Sequence, residues 1–149
     1  MHDKEIQHFT KALQQAGSEF YLDAIAEFRA LIEEFPSSEL VDDALYNIGL
    51  CYFQMNQFEK ARTQYQEVID KHPNATISVL EGGNEFGKTA AKCQYAIMNC
   101  YLGQGEVDKA KQITDMLNIY NEDSYVLVND KKITFKELSE KAIKTFLNS

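Results

Sequence analysis

Apolar residues recur at helical spacing along most of this chain, and short polar turns interrupt them. Between residues 4 and 16, Ile6, Phe9, Ala12, Leu13 and Ala16 share one helical face, and Gly17-Ser18 breaks the run. The spacing predicts a partner helix over 20–34 with Ile25, Phe28, Leu31 and Ile32 inward, closed by Pro36-Ser37-Ser38. A third helix, 40–54, turns Leu45, Ile48, Gly49 and Tyr52 to one side and ends at Asn56-Gln57, after which 58–71 pairs back. Two more follow at 89–103 and 107–120, around Gly103-Gln104-Gly105. Connections this short force antiparallel neighbours, so six helices in three pairs are expected. The tail differs. Tyr125 to Val128 and Lys131 to Ile133 flank Asn129-Asp130, a tight hairpin signal. Thr134 and Glu137 read as a capping box for a last helix whose Phe135, Leu138, Ala142, Ile143, Phe146 and Leu147 form one apolar face.

The pairs repeat one another. Tyr21, Ala24, Phe28 and Pro36 stand at the same offsets as Phe58, Ala61, Tyr65 and Pro73, while Val107, Ala110 and Thr114 repeat the opening without the proline. A period of roughly 30–50 residues between helical units means a solenoid. Its units bury their faces only by stacking, and the stack presents surfaces for partners more readily than catalytic pockets. The recurring alanine belongs where two helices cross closely, with the aromatic filling the wedge one turn on, and Gly49 serves the same contact. Cys51 and Cys100 precede Tyr52 and Tyr101 at equivalent positions, and Cys93 matches Ala44, so all three read as small buried apolar groups.

These positions resemble the tetratricopeptide repeat, in the slightly elongated version seen in bacterial outer-membrane assembly and cell-envelope proteins. In 42–75, Leu45, Ile48, Gly49 and Tyr52 match the large-large-small-large slots of the first helix, and Ala61, Tyr65, Val68 and Pro73 those of the second. The third copy keeps Ile97, Tyr101, Gly105, Ala110 and Leu117, with Met98 where a small residue is usual and Glu122 in place of the proline. The resemblance implies an all-α superhelix of about three helix pairs over 1–121, with 122–149 adding a hairpin-like turn and a capping helix to the same domain. It further implies a non-catalytic adaptor or assembly factor that binds a peptide or protein segment in the concave groove. The residues it assigns to that groove are Tyr46, Asn47, Leu50, Phe53, Lys92, Tyr95 and Asn99, joined by Gln7, Lys11 and Gln14 from the first copy. Asn47 and Lys92 match two members of the carboxylate clamp by which some co-chaperone repeats hold a peptide C-terminus, whereas Ala96 and Gln7 replace basic members. A rival role for Tyr46 and Tyr95 is packing against an inserted segment folded into the groove.

That insertion lies between the second and third copies. Ala61 and Ala110 are 49 apart, against a repeat of about 34, and the excess falls in 74–88. It contains Gly82-Gly83-Asn84-Glu85-Phe86-Gly87-Lys88-Thr89, which fits the phosphate-loop pattern GxxxxGK followed by Ser or Thr, after apolar Ile77 to Leu80 and before a helix. Anion binding at Gly87, Lys88 and Thr89, and with it a nucleotide-binding protein using 82–89, is the alternative reading. Against it, a P-loop enzyme needs parallel strands beside the loop, and no segment supplies them. The plainer reading is an inserted loop that starts the next helix.

Charge and composition narrow the partners. A net charge of −8 with clustered acids argues against nucleic acid. Residues 1–73 hold 13 acidic against 6 basic side chains, whereas 131–149 hold five lysines against two glutamates. No apolar run approaches the roughly 18 residues of a membrane span. Three cysteines favour a reducing compartment, and Met1 to Glu5 opens no signal peptide, so the cytoplasm is expected, or the periplasm if a signal was removed. His2, His8 and His72 lack metal-ligand spacing, and Glu33/Glu34 and Asp42/Asp43 point apart on their helices. Neither a metal, a cofactor nor a catalytic set is expected.

Overall fold

A computed structural model describes residues 3–120 and 122–149; Met1, His2 and Asn121, at which the repeat region is expected to end, lie outside the described residues. The helices are α1 (Asp3–Gly17), α2 (Tyr21–Glu34), α3 (Val41–Gln54), α4 (Phe58–Lys71), α5 (Thr89–Gly103), α6 (Val107–Met116) and α7 (Phe135–Leu147). Three short strands, β1 (Glu85–Phe86), β2 (Tyr125–Val128) and β3 (Lys131–Thr134), form one antiparallel sheet in that order.

The repeat is visible in the backbone itself. Each helix pair turns on one residue in the left-handed region, Glu19 (φ 65°), Asn56 (φ 60°) and Gly105 (φ 75°). Phe20, Gln57 and Glu106 follow with nearly the same angles and lead into α2, α4 and α6. In the first copy α1 runs through Gly17 and the reversal falls on Glu19, directly after the expected Gly17-Ser18 break. The last repeat helix is shorter than expected: α6 ends at Met116 and a 3₁₀ stretch, Leu117–Tyr120, completes it.

Packing follows the small-large pattern. Ala24, Ala61 and Ala110 are fully buried, each with Phe28, Tyr65 or Thr114 buried one turn on. Phe9 meets Phe28 edge to face at 5.7 Å in the first core, which also takes Leu31, Leu40 and Ile48. Burying a side chain of this size stabilises by roughly 1.5–3 kcal/mol. The second core joins Leu45, Tyr65 and Val68 to Ile97 and Cys100 across α3, α4 and α5. Cys51, Cys93 and Cys100 are buried and unpaired, and burial pushes the Cys51 thiol up to about 11 and that of Cys100 to about 12. They pack as neutral apolar groups.

α7 covers the end of the stack. Phe135 sits with Ile77, Ala91 and Leu117, and Ile143 with Met98, Leu102 and Ala110. Its start is the expected capping box: Thr134 Oγ1 accepts from the Glu137 N–H at 3.1 Å while Glu137 Oε1 accepts from the Thr134 N–H. Asn129 and Asp130 both take positive φ, the geometry of a type I′ hairpin turn between β2 and β3. The pairing of β1 with this hairpin was not anticipated, and it ties the insertion to the tail. No helix among the described residues is long and apolar enough to cross a membrane.

Candidate functional site

α3 and α5 are the equivalent first helices of the second and third copies, and the insertion crosses from one to the other. Its stem is zipped: Ile77 N–H donates to the Gly87 carbonyl at 2.9 Å, Thr89 N–H donates to the Ala75 carbonyl at 3.1 Å, and Ile77 is buried. Ser78 then caps a single 3₁₀ turn, Val79–Glu81, accepting the Leu80 N–H at 3.1 Å. Gly82 and Gly83, with φ of 121° and 77°, reverse the chain. β1 returns along β2, pairing Glu85 with Val126 and Phe86 with Tyr125, whose rings stack at 5.3 Å.

Five charged side chains meet beneath this segment. Lys92 of α5 is 4% exposed; its Nζ lies 2.7 Å from Glu85 Oε1, 3.6 Å from Glu81 Oε2 and 4.0 Å from the centre of the Tyr46 ring. Asn47 of α3, 5% exposed, donates to the Asp43 carbonyl at 2.8 Å and also to Glu81 Oε1. Asp43 Oδ1 accepts the Ser78 N–H at 3.0 Å, and Thr89 Oγ1 donates to Asp42 Oδ2 at 2.5 Å. Burial raises both aspartates. Asp43 reaches about 8, because the carboxylates of Asp42 and Glu81 add repulsion that the Ser78 N–H and Lys92 only partly offset. Glu81 is also raised, first by burial. Burial pulls the Lys92 ammonium down, but Tyr46, Glu81 and Glu85 outweigh it and hold Lys92 above its ordinary value.

The expected groove residues therefore divide. Asn47 and Lys92 are buried and are not open as expected: Glu81 covers both and Glu85 covers Lys92, which supplies a buried ammonium with the anions it needs. Tyr46 lies half-buried between Lys92 and Tyr65, and Tyr95 packs on Phe135 at 6.0 Å beside the cluster that holds Ile77. The rival role for the two tyrosines thus applies in part. Leu50, Phe53, Tyr95 and Asn99 still surround a narrow hollow of about 50 Å³ floored by Tyr65 and Ala96. A larger cavity of about 390 Å³ adjoins it across Leu50, bounded by Leu13, Ala16, Tyr21, Asn47 and Gln54. Lys11 turns instead to Glu27 on α2, at 3.6 Å.

The phosphate-loop match does not become a phosphate cradle. No parallel strand precedes it: Thr76 makes an isolated antiparallel bridge with Lys88, and residues 79–81 are a 3₁₀ turn. Gly87 gives its carbonyl to Ile77, the Lys88 N–H donates to Ser124 Oγ, and the Thr89 hydroxyl is spent on Asp42. Among the described residues, no group of three or more His, Cys, Asp or Glu side chains could hold a metal ion.

The best copy is also recognisable as a sequence pattern. Residues 43–75 match the sequence profile of the tetratricopeptide repeat. This is a tetratricopeptide-repeat fold. Its architecture is similar to that of the type III secretion chaperone SycD of Yersinia enterocolitica in complex with a peptide of the translocator YopD, with a TM-score of 0.64 and 19% identity over 99% of this chain and 92% of that one. The second tetratricopeptide domain of human RPAP3, in complex with an HSP70 peptide, aligns with a TM-score of 0.60 and 13% identity over 95% of each chain. The tetratricopeptide domain of Arabidopsis FLU gives a TM-score of 0.60 and 16% identity over 78% of this chain and 92% of that one. No curated protein sequence matches the chain.

Proposed function

We propose that this tetratricopeptide protein is a non-catalytic interaction module, an adaptor or assembly factor, that takes an extended segment of a protein partner on the concave face of α1, α3 and α5. One observation supports the reading: that face already holds a segment of this chain, 78–86, whose Glu81 and Glu85 carboxylates are taken by a buried side-chain amide and a buried ammonium. Beside it, the cavities around Leu50 leave room for more chain. The SycD and RPAP3 domains, similar in fold, were each determined with a peptide, which supports the same use here. Three unpaired, buried cysteines support placing the protein in the cytoplasm.

The test is affinity capture from the source cells by the parent chain and by two variants. Leu50→Arg/Asn99→Arg fills the open part of the concave face, while Lys111→Glu alters an exposed position on α6. A partner held by the parent and by Lys111→Glu but lost from the double variant is expected. Equal recovery on the double variant would move the binding surface off the concave face.

A further inference from the structure

Leu80 and Glu81 are adjacent, yet they anchor on different parts of the solenoid. Leu80 packs against the first core, while Glu81 takes the Asn47 amide and the Lys92 ammonium. The start of the Val79–Glu81 turn is held besides by the Ser78 N–H, which donates to Asp43 Oδ1. Val79 is 79% exposed, and the exposed glycines 82 and 83 supply a reversal that tolerates other backbone angles. Glu85, by contrast, lies in β1, paired with Val126, and meets Lys92 at 2.7 Å.

We propose that Leu80-Glu81 is a resident occupant of a binding site, and that a partner segment offering an aliphatic side chain followed by a carboxylate displaces it. The proposal rests on the concave-face reading and specifies its chemistry. Without Glu81, Lys92 keeps only Glu85 and Asn47 only the Asp43 carbonyl, so a segment that brings its own carboxylate is favoured over one that does not. Exchange of one carboxylate for another is close to balanced at Asn47 and Lys92. The surplus that favours the partner comes from contacts the resident turn lacks, along the 390 Å³ cavity bounded by Leu13, Tyr21 and Leu50. Because the resident turn is tethered, it competes at an effective concentration in the millimolar range, which sets a threshold against weak acidic segments.

A fluorescein-labelled peptide copying residues 76–86 is titrated against the full-length chain by anisotropy. Tighter binding by about tenfold or more is expected for the Leu80→Ser/Glu81→Gln chain than for the parent, since removing the tethered competitor raises the binding-competent fraction. The gain should vanish when the peptide carries Gln at the position matching Glu81, and when Asn47→Ala is added to the variant chain. Equal binding by parent and variant, or by the Gln peptide, overturns the proposal. A second measurement avoids dependence on the folding of the variant: millimolar peptide added to the parent should speed hydrogen exchange at the Glu81 and Gly82 amides, which bond to Ser78 and Val79. Unchanged exchange at saturating peptide also overturns it. If Leu50→Arg/Asn99→Arg abolishes partner capture while these results fail, the concave-face reading stands and the displacement alone falls.

Discussion

Gly49 of α3 lies under the ring of Tyr65 of α4: a β-carbon built on it would stand 2.5 Å from Tyr65 Cε1. Tyr65 is 1% exposed and also meets Tyr46, so the ring has nowhere to go. Gly49→Ala should therefore force the pair apart and cost roughly 1–3 kcal/mol, in the manner of overpacked cores. At this chain length that is a fall of about 2–4 °C in Tm per kcal/mol. An unchanged Tm would mean that α3 and α4 do not cross this closely.

Gly87 makes the corresponding contact between the insertion and the tail. Its φ is 99°, and a β-carbon there would come within 2.5 Å of Ser124 Cα. Gly87→Ala is expected to loosen β1 from β2 without unstacking the repeats. The readout is hydrogen exchange at the Leu127 amide, which donates to the Asn84 carbonyl at 2.8 Å. Faster exchange there, with the α3 and α4 amides unchanged, is the expected result.

Asp43 makes stability depend on pH with a definite sign. Its carboxyl is raised to about 8 in the fold, chiefly by burial and then by Asp42, against about 3.9 in an unfolded chain. Between those values the folded state holds a proton that the unfolded state has released, so stability falls as pH rises through the window. Asp43→Asn keeps an acceptor for Ser78 and removes this titration. In urea unfolding at pH 5, 7 and 9, the variant should gain on the parent at each step up. A parent midpoint that rises between pH 5 and 9 contradicts the burial of this pair.

Millimolar Mg-ATP should leave the Tm of the parent unchanged, and Lys88→Ala should behave like the parent. Thr89 is bonded to Asp42, whose carboxylate would repel phosphate at the start of α5. Saturable stabilisation by ATP that disappears in Lys88→Ala would restore the phosphate-loop reading.

Legibility in the sequence tracks the range of the forces. The helices of the three pairs were readable because each depends on a 3.6-residue periodicity and on a small residue at each crossing, both local. The type I′ hairpin and the capping box of α7 were equally local. The break between α1 and α2 was legible to within a residue, but that Glu19 rather than a glycine takes the left-handed conformation was not. Asn47 and Lys92 are expected from the sequence to be open groove residues, whereas the fold buries them. Nothing near them announces that Glu81, 34 residues from Asn47, will cover both.

By itself, then, the sequence determined a stack of helix pairs with a tail that caps it, since repeated local patterns leave few alternatives for burying so many apolar faces. Only the tertiary structure decided where the insertion lies. A two-residue strand carries no periodicity of its own; β1 exists because β2, some forty residues later, offers it an edge. The same holds for the acidic cluster. Asp42, one oxygen of Asp43 and Glu81 are met by Thr89, Ser78, Asn47 and Lys92, and those partners converge only once the solenoid has closed.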